Sequence, residues 1–463
     1  MDGFVGRRRE LRLLGEELAA SQGRCLLLRG RRRVGKSRLV EQFIENAGVP
    51  AVFYSASRGP VDRELATFAD EVLDSDLPGR DRFTDVIPRS WDAALRLLAD
   101  ALPDMGPSVV VIDEVPYLVA SDPSFEGTLQ RVWDRVLSRK RVLLILVGSD
   151  LSMMEALNTY GRPFHQRGTP MVLDPLDPAE VGEMLGLEPA AAFDAHLVTG
   201  GLPLVCAEWS RGDSVRDFLK SALGRQTSAM TVSAELALAA EFPVETQARQ
   251  VLTAIGAGER ARASISRAVD VPPASLDRAL KLLIDKRVVA ADRPLSTKPS
   301  KETRYRVADA YLRFWLHFVD PHREELARGR SDRVLSRIDS GWTSWRGRAI
   351  EPVIRESLLR LQPGDEPLTI GGYWTRTNNV EVDLIGADRS PVAGKITFVG
   401  SVKWLERRPF DHHDLAALVA HRDRLPGADR DTPLVVVSRA GSRVADGVAH
   451  TYGPADLLAA WSR

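Results

Sequence analysis

The sequence predicts an α/β protein that begins with a doubly wound parallel sheet and ends in a separate, smaller α/β module. Between residue 20 and about residue 180, short apolar runs alternate with helical patterns, and this alternation builds a parallel sheet with helices on both faces. Residues 245–310 instead read as three short helices followed by a two-stranded ribbon, the layout of a winged helix-turn-helix. Strand-like runs return after about residue 340.

Length and composition are those of an ordinary globular protein. The 463 residues suffice for three or four domains, and a chain with 27% charged and 44% hydrophobic residues is neither disordered nor fibrous. The 63 basic and 63 acidic residues give a net charge of zero. Overall charge therefore does not argue for nucleic-acid binding, and any basic surface must be local.

Cysteine content and hydropathy limit the compartment. The two cysteines, Cys25 and Cys206, exclude a disulfide framework or a cysteine-built zinc site and fit a reducing compartment. The longest apolar runs are strand-sized, far below the length of a membrane span, and the first residues lack the pattern of a signal peptide. We therefore expect a cytoplasmic protein with no membrane partner.

Five apolar runs are the predicted strands of the first sheet. They are continuous rather than alternating, which is typical of parallel strands buried on both faces. The runs are 24–28, 51–55, 109–112, 142–147 and, more weakly, 171–173. We expect four domains, namely the sheet domain at 1–180, a helical lid or linker at 181–240, the winged helix at 241–320 and the last α/β module at 321–463.

A glycine-rich loop follows the first predicted strand and opens a helix. Residues 30–37 read Gly-Arg-Arg-Arg-Val-Gly-Lys-Ser, a complete GxxxxGK[ST] match. In this context the backbone N–H groups and the helix N-terminus form a cradle for phosphates, the P-loop. Lys36 can reach the β- and γ-phosphates for catalysis, and the Ser37 hydroxyl can ligate Mg²⁺. The predicted ATP-binding residues here are Gly30, Arg31, Arg32, Arg33, Val34, Gly35, Lys36, Ser37 and Arg38.

Acidic and polar residues end two other predicted strands, where the rest of such a site is expected. Asp113 would hold Mg²⁺ through water or together with Ser37. Glu114, the next residue, is the natural general base for the attacking water. Ser149 follows the next strand and is expected within reach of the γ-phosphate or its water, a simple turn being the alternative.

Two loop arginines are candidates for stabilising charge in the transition state. Arg162 and Arg167 lie in a stretch rich in glycine and proline, and either could serve its own subunit or a neighbouring one in a homo-oligomer. A solvated loop arginine is the alternative for each of them.

These motifs together resemble the archaeal-type ATPases of the AAA+/STAND assemblage, which implies a P-loop ATPase core in the first domain. Residues 4–11, Phe-Val-Gly-Arg-Arg-Arg-Glu-Leu, resemble the entry motif of that family. The resemblance implies that Val5, Gly6 and Arg7 lie against the nucleotide base. Gly-Gly-Leu-Pro at 200–203 is similar to the lid signature of the family, which implies that Pro203 lies near the nucleotide.

The segment Tyr-Gly-Arg at 160–162 resembles a later motif of the same family. In its relatives the arginine is followed more closely by the next strand. The four residues inserted at 163–166 leave open whether Arg162 or Arg167 takes the place of the family arginine.

The last third of the chain resembles the companion domain of unknown function in these ATPases, which is similar to PD-(D/E)xK nucleases and implies a restriction-endonuclease-like fold. Such a site holds Mg²⁺ with carboxylates and positions water with a lysine. Candidates for a second metal site are Glu351, Glu381 and Asp383, with Lys403. Ser401 stands where the family usually has an acid, so we expect a binding or scaffold role, with nucleic-acid cleavage as the alternative. The predicted helices are 350–361 and 411–424, and the predicted strands are 380–385, 396–402 and 434–437.

The predicted winged helix carries a local excess of basic charge. Residues 251–310 contain twelve basic and seven acidic side chains. Leucines spaced i, i+4 and i+7 should face inward on the third helix, 274–285. Ser275, Arg278 and Lys281 are then expected to face outward, where a recognition helix meets the major groove of double-stranded DNA. The basic residues of the predicted wing, which could contact phosphates, are Arg293, Lys298, Lys301 and Arg304. A protein–protein spacer is the alternative.

We therefore expect a Mg²⁺-dependent, ATP-binding and ATP-hydrolysing molecular switch that acts through a DNA-binding winged helix. Two other functions stay open. One is an ATP-regulated nuclease acting through the last module, and the other is a noncatalytic regulator that holds ATP structurally.

Overall fold

The computed structural model describes residues 4–242, 246–362, 368–377 and 379–462. The chain divides into two compact units, Met1–Pro175 and Leu176–Arg463. None of the helices in the described ranges combines the length and apolar character that crossing a membrane requires.

The first unit contains a five-stranded parallel sheet. Its strands are β1 (Arg24–Arg29), β2 (Ala51–Ser55), β3 (Ser108–Asp113), β4 (Val142–Gly148) and β5 (Thr169–Val172). The order is β2-β3-β4-β1-β5, and every neighbouring pair is parallel. Strands β3 and β4 are buried along their whole length, which explains their continuous apolar sequence. All five predicted strands are confirmed, with ends that differ by at most two residues.

Helices cover this sheet and bury an aromatic cluster. The helices of the first unit are α1 (Arg8–Leu18), α2 (Lys36–Ala47), α3 (Val61–Asp74), α4 (Trp91–Ala101), α5 (Val115–Ser121), α6 (Phe125–Arg135) and α7 (Leu151–Leu157), with 3₁₀ turns at Arg80–Phe83 and Leu137–Arg139. The rings of Tyr54 and Phe68 pack edge to face at 5.3 Å, as do Trp91 and Phe125 at 5.2 Å. Because the strands are parallel, their carboxyl ends meet at one edge of the sheet, where ligands bind in such folds.

The second unit begins with a group of helices, as the sequence predicts. They are α8 (Pro178–Leu185), α9 (Pro189–Thr199), α10 (Pro203–Cys206), α11 (Val215–Leu223) and α12 (Ala229–Glu241). Gly200 ends α9 with a left-handed φ of 60°, and a Cβ at this position would lie 2.6 Å from the backbone nitrogen of Tyr311. A Cβ on Gly201 would overlap the carbonyl oxygen of Leu176 at 1.9 Å. Close backbone packing thus explains both glycines of the Gly-Gly-Leu-Pro segment.

Three helices and an antiparallel ribbon follow, as predicted. They are α13 (Thr246–Ala257), α14 (Arg262–Ala268), α15 (Pro273–Asp285), β6 (Val289–Asp292) and β7 (Arg304–Val307). On α15, Leu276, Leu280 and Leu283 are buried, and Arg278 and Lys281 are exposed, as expected. The expectation for Ser275 is wrong, because this residue is buried. Ala279, one turn later, is also buried, so the buried stripe of the helix is wider than the leucines alone.

The segment between the two ribbon strands is held by the last α/β module rather than projecting from the ribbon. The side chain of Leu295 is 2% exposed within the core of that module, and its backbone N–H donates to Gly372 O at 2.9 Å. The backbone N–H of Ala393 donates to Ser296 O at 2.9 Å. This segment is therefore part of the packing of the second unit.

Arg304 is the predicted wing residue that this packing removes from solvent. Its guanidinium bonds to Glu381 at 2.6 Å and lies 4.4 Å from the ring centroid of Trp374. The expectation that Arg304 contacts DNA phosphates is thus wrong, because its charge is already paired and its side chain is 12% exposed. Arg293, Lys298 and Lys301 are exposed.

The last module is a mixed five-stranded sheet with flanking helices. Its strands are β8 (Thr369–Trp374), β9 (Glu381–Ala387), β10 (Ile396–Lys403), β11 (Leu434–Ser438) and β12 (His450–Tyr452), in the order β12-β11-β10-β9-β8. Strands β8, β9 and β10 pair antiparallel, and strands β10, β11 and β12 pair parallel. The remaining helices are α16 (Ala310–Phe314), a π-helical turn (Trp315–Val319), a 3₁₀ turn (Asp320–His322), α17 (Arg323–Ala327), α18 (Ser331–Ala349), α19 (Glu351–Leu361), α20 (His412–Arg422) and α21 (Pro454–Ala459). The predicted strands and helices of this module are confirmed, whereas β8 and β12 were not predicted.

Candidate nucleotide-binding site

The P-loop connects β1 to α2 and closes around its own lysine. Lys36 Nζ donates to Gly30 O at 2.9 Å and to Arg31 O at 3.1 Å. A Cβ on Gly30 would lie 2.5 Å from the carbonyl oxygen of Leu173, and Gly35 has a left-handed φ of 90°. These two positions therefore require glycine, as the sequence motif predicts.

The environment of Lys36 is buried and close to two acids. Burial lowers the pKa of Lys36, and the negative charges of Glu114 and Asp113 oppose that shift. The same acids thus favour the charged form of the lysine, the form that binds phosphate.

The two acidic residues at the end of β3, Asp113 as its last residue and Glu114 directly after it, are each held by neutral hydrogen-bond donors. Ser37 Oγ donates to Asp113 Oδ2 at 2.8 Å, and the backbone N–H of Glu114 donates to Asp113 Oδ1 at 2.8 Å. Ser149 Oγ lies 3.0 Å from both carboxylate oxygens of Glu114. The structure therefore brings together Ser37, Asp113, Glu114 and Ser149 as the sequence predicts.

Backbone geometry positions the Glu114 carboxylate. Glu114 precedes α5 with a left-handed φ of 54°, a conformation that costs free energy in a residue other than glycine and is concentrated at functional sites. A Cβ on Gly148 would lie 2.5 Å from Met154 Sδ. The chain before Ser149 can thus approach α7 closely only because this residue is glycine.

The residues at this edge fit a magnesium-bound triphosphate. A serine hydroxyl and a carboxylate are oxygen ligands of the kind that Mg²⁺ takes together with phosphate oxygens. The oxygens of Ser37 and Asp113 are already within hydrogen-bond distance of each other, and Lys36 supplies a cation for the phosphates.

The other P-loop side chains differ in what they contact. Arg32 Nη2 donates to the hydroxyl of Tyr117 at 3.2 Å, and the side chain of Val34 is fully buried. Arg33 Nη1 is buried without a hydrogen-bond partner in the described part of the chain. Arg38 pairs on the exposed face of α2 with Glu41 and Glu45, both at 3.4 Å, and its contact with the nucleotide stays a prediction. Pairs at these spacings stabilise the helix surface.

The entry segment is tied to the P-loop. Arg7 is 4% exposed, and its Nη2 donates to Val34 O at 3.1 Å. Gly6 and Arg7 both have left-handed φ values, 73° and 58°, so the chain turns sharply before α1. This contact holds Val5, Gly6 and Arg7 near the loop, while their approach to the nucleotide base stays a prediction.

The two candidate arginines of the 158–168 loop are both engaged in ion pairs. Arg162 Nη2 lies 2.6 Å from Glu126 Oε2, and Arg167 forms a two-bond pair with Asp134 at 2.8 and 2.9 Å. Arg167 precedes β5, at the amino end of the sheet, whereas the P-loop follows the carboxyl end of β1. The length of the strand, at about 3.3 Å per residue, separates the two by about 20 Å. A role for either arginine in a neighbouring subunit stays a prediction, as does the approach of Pro203, which begins α10 in the second unit.

Sequence reasoning missed three residues at the same sheet edge. The guanidinium of Arg58 lies 4.3 Å from the ring centroid of Tyr117, the residue that Arg32 also contacts. Glu64 is 1% exposed and accepts hydrogen bonds from Ser57 and Gly59 in the loop that carries Arg58. One signal could have identified Glu64, because it is an acid on the apolar stripe of α3, four residues before Phe68.

Two of the three candidate carboxylates of the last module, Glu351 and Glu381, are paired with arginines. The third, Asp383, accepts from Ser401 Oγ at 3.2 Å and from the Val402 backbone N–H at 2.8 Å. Arg355 Nη2 lies 3.2 Å from Glu351 Oε2 and donates at 2.8 Å to the carbonyl oxygen of Asp383. Lys403 Nζ lies 3.1 Å from Asp414 Oδ1. Burial raises the pKa of Glu351, and the positive charge of Arg355 opposes that rise.

The second metal site expected at Glu351, Glu381 and Asp383 is therefore wrong. Within the described ranges, no three acidic, histidine or cysteine side chains come together as a metal site. The physical reason is that arginines, Arg355 at Glu351 and Arg304 at Glu381, supply the positive charge that a metal would supply.

Comparisons with known proteins agree with this geometry. Residues 4–188 match an ATPase domain predominantly from Archaea, and residues 315–414 match archaeal and bacterial proteins of unknown function. An uncharacterized protein of Methanocaldococcus jannaschii is 24% identical over 92% of this chain and 93% of its own length.

Two solved structures are also similar to this chain. A Walker-type ATPase of Pyrococcus abyssi is 19% identical with a TM-score of 0.49, over 68% of this chain and 96% of that one. The ORC2 protein of Aeropyrum pernix, solved in complexes with ADPNP and ADP, is 15% identical with a TM-score of 0.42, over 73% and 98%. The family matches therefore show that residues 4–188 are similar to ATPase domains found predominantly in Archaea, and that residues 315–414 are similar to archaeal and bacterial proteins of unknown function.

Proposed function

We propose that the protein binds ATP with Mg²⁺ at the P-loop and hydrolyses it slowly, as a molecular switch. One observation carries the proposal, namely the paired contacts of Asp113 with Ser37 and of Glu114 with Ser149. They set a magnesium-ligand pair beside a carboxylate base, at the sheet edge that also carries Lys36. In this proposal residues 1–180 are the ATPase core, 181–240 a lid, 241–320 a winged helix and 321–463 a binding or scaffold module.

The P-loop residues bind and orient the triphosphate. Lys36 exchanges its bonds to Gly30 O and Arg31 O for bonds to the β- and γ-phosphates, so the lysine stays paired throughout. The N-terminus of α2 adds backbone N–H groups and the positive end of the helix dipole. Ser37 and Asp113 would hold Mg²⁺, which would supply positive charge to offset the charge that develops on the phosphates.

Glu114 accepts a proton from the attacking water. Ser149 donates to this carboxylate, which fixes its rotation without neutralising its charge. A fixed, charged carboxylate at hydrogen-bond distance from water is the arrangement that general-base catalysis needs. The backbone bond from Glu114 to Asp113 couples the base to the magnesium ligand.

Replacement of the P-loop lysine tests ATP binding at this site. We expect Lys36→Ala to weaken Mg²⁺-ATP binding by at least about 100-fold, because a charge-assisted contact to two phosphates is lost. Isothermal titration calorimetry and phosphate release measure binding and turnover, with Lys220→Ala, an exposed lysine of α11, as the matched control. Unchanged binding in Lys36→Ala would contradict the site. Wild-type binding without turnover would favour a noncatalytic regulator.

We also propose that the second unit contacts double-stranded DNA through α15. Arg278 and Lys281 are exposed one turn apart on that helix, within a segment of twelve basic and seven acidic residues. Basic side chains in this arrangement suit phosphate and base-edge contacts in the major groove. The arginine-paired carboxylates of the last module do not support cleavage, so we propose binding without cutting.

Salt dependence of DNA binding tests this second proposal. If Arg278 and Lys281 each contact a phosphate, the double alanine variant lowers the slope of log K against log salt by about 2. Fluorescence anisotropy with a labelled duplex measures the slope, and Arg323→Ala with Lys220→Ala serves as a control of equal charge. An unchanged slope would contradict a role for α15 in DNA binding.

A further inference from the structure

Two guanidinium groups contact one tyrosine next to the P-loop. Arg58 Cζ lies 4.3 Å from the ring centroid of Tyr117, and Arg32 Nη2 donates to the Tyr117 hydroxyl at 3.2 Å. Both arginines are exposed. Throughout the described ranges, neither guanidinium forms an ion pair with a carboxylate. Two positive charges thus contact one tyrosine and are not neutralised by an ion pair in these ranges, which favours binding of an anion.

The strand register places this pair at the candidate nucleotide site. β2 ends at Ser55, which is in register with Asp113, and the Ala56 backbone N–H donates to Asp113 O at 3.1 Å. Arg58 follows two residues later, and Tyr117 lies in the first turn of α5, three residues after Glu114. Arg58 therefore belongs to the same sheet edge as the acids.

Arg32 connects the pair to the phosphate cradle itself. It lies in the P-loop between the two required glycines. The carbonyl oxygen of the preceding residue, Arg31, accepts a hydrogen bond from Lys36 Nζ at 3.1 Å. Arg32 thus directly follows a residue that contacts the phosphate-binding lysine.

The loop that carries Arg58 is fixed by a buried acid. Glu64 Oε1 accepts hydrogen bonds from Ser57 Oγ at 2.8 Å and from the Gly59 backbone N–H at 2.6 Å. Arg58, between them, has a left-handed φ of 65°. Burial by itself raises the pKa of Glu64, but hydrogen bonds from Tyr54, Ser57 and Gly59 outweigh burial and lower it. The strained backbone at Arg58 is therefore held by a charged anchor, as at functional sites.

We propose that Arg58 contacts the terminal phosphate of ATP from within the same chain, with Arg32 beside it, as a substrate-binding arginine. The inference rests on the ATP binding proposed above. A guanidinium presents planar, paired donors that match phosphate oxygens, and Arg58 has no competing ion pair in the described part of the chain, unlike Arg162 and Arg167. Because only ATP has a γ-phosphate, Arg58 discriminates ATP from ADP.

Separate affinities for a triphosphate and a diphosphate test this assignment. The magnesium complexes of ADP and of the nonhydrolysable analogue ADPNP are titrated into the full chain by calorimetry. We expect Arg58→Ala to weaken ADPNP binding by about 10- to 100-fold and ADP binding by less than about 2-fold, since a charge-assisted hydrogen bond is lost only with the triphosphate. Arg58→Lys should recover part of the loss. The matched control is Arg63→Ala, an exposed arginine five residues later.

The possible outcomes separate this inference from the proposed function. Equal losses for ADPNP and ADP would mean that Arg58 only supports the loop, and unchanged affinities would mean that it makes no phosphate contact. Either result overturns the assignment while leaving the P-loop site intact. Failure of the wild-type chain to bind either nucleotide would overturn ATP binding itself. Thermal unfolding midpoints equal to that of the wild type establish that the variants are folded.

Discussion

The P-loop site and the last α/β module contain the same kinds of residue, a set of carboxylates, a lysine and a serine, but they pair them differently. In the P-loop site, Asp113 and Glu114 accept hydrogen bonds from the hydroxyls of Ser37 and Ser149. In the last module, Glu351 is paired with Arg355 and Glu381 with Arg304. Neutral donors therefore hold both acids of the P-loop site, whereas arginines hold two of the three candidate acids of the last module and neutral donors hold only Asp383.

This difference determines what each region can bind. A carboxylate held by a hydroxyl keeps its negative charge and can still attract a metal ion or a proton. A carboxylate held by an arginine already has its countercharge, and a metal would have to displace that arginine. Residue type alone therefore does not define a metal site, and the charge of its hydrogen-bond partners must also be known.

The largest expected effect is a loss of ATP hydrolysis when Glu114, the proposed general base of the P-loop site, is replaced. Glu114→Gln keeps the size and the Ser149 contact but removes the negative charge, so we expect kcat for ATP hydrolysis to fall by about 10²- to 10⁴-fold. ATP affinity should change little, since the phosphates bind to other residues. Phosphate release under single-turnover conditions measures the effect, with Glu71→Gln, an exposed residue of α3, as control. A loss of affinity in place of turnover would assign Glu114 to binding.

An intermediate effect, on stability, is expected in the last module, where Arg355 supplies the positive charge next to Glu351. Arg355→Met leaves the Glu351 carboxylate, whose side chain is 19% exposed, without this partner, and breaking a pair that is mostly buried costs up to about 3 kcal/mol of the free energy of unfolding. Burial already raises the pKa of Glu351, and the variant raises it further. At low pH Glu351 is protonated, and the variant loses little stability. As the pH rises through the raised pKa, the acid must ionise without its partner, so the loss in free energy of unfolding grows from pH 5 to pH 8.

Urea unfolding of the full chain at both pH values measures this cost. The control Arg328→Met removes an exposed pair with Glu324 and should change stability by less than about 1 kcal/mol. Equal, small effects in both variants would contradict the structural role of Arg355. Cleavage of duplex DNA that appears in Arg355→Met with Mg²⁺ would contradict the difference between the two regions.

The smallest expected effect comes from the hydroxyl that orients the base. Ser149→Ala removes one hydrogen bond to Glu114, and we expect kcat to fall by about 10-fold with ATP affinity unchanged. Because Ser149 acts through Glu114, the double variant with Glu114→Gln should be no slower than Glu114→Gln alone. Additive losses in this double-mutant cycle would assign Ser149 a direct contact with substrate or water. Ser121→Ala, which loses only a bond to a backbone carbonyl, is the control.

Features that local sequence encodes were predicted well. The continuous apolar runs fix β3 and β4, because strands buried on both faces cannot alternate polar and apolar residues. The GxxxxGK[ST] motif identifies the cradle, since Gly30 and Gly35 occupy positions where a Cβ or an ordinary φ does not fit. Asp113 and Glu114 follow from their place at the end of a buried strand.

Features that depend on contacts between residues far apart in the sequence were not predictable from the sequence alone. Leu295 lies in a polar segment, and nothing nearby shows that it enters the core of a module formed 85 to 149 residues later. Arg355 reads as a surface residue of an amphipathic helix until the position of Asp383 is known. Arg58 and Tyr117 are 59 residues apart, and only the order of β2 and β3 in the sheet brings them together.

Magnesium-dependent nucleotide binding tests whether Asp113 and Ser37 hold the cation beside the triphosphate. Calorimetric titration of ATP into the wild-type chain, with Mg²⁺ and with a chelator, is compared with the same titrations of Asp113→Asn. We expect the wild-type affinity for ATP to rise when Mg²⁺ is present and this rise to be lost in Asp113→Asn. Absence of ATP binding by the wild type, or an equal Mg²⁺ effect in Asp113→Asn, would contradict the proposed site.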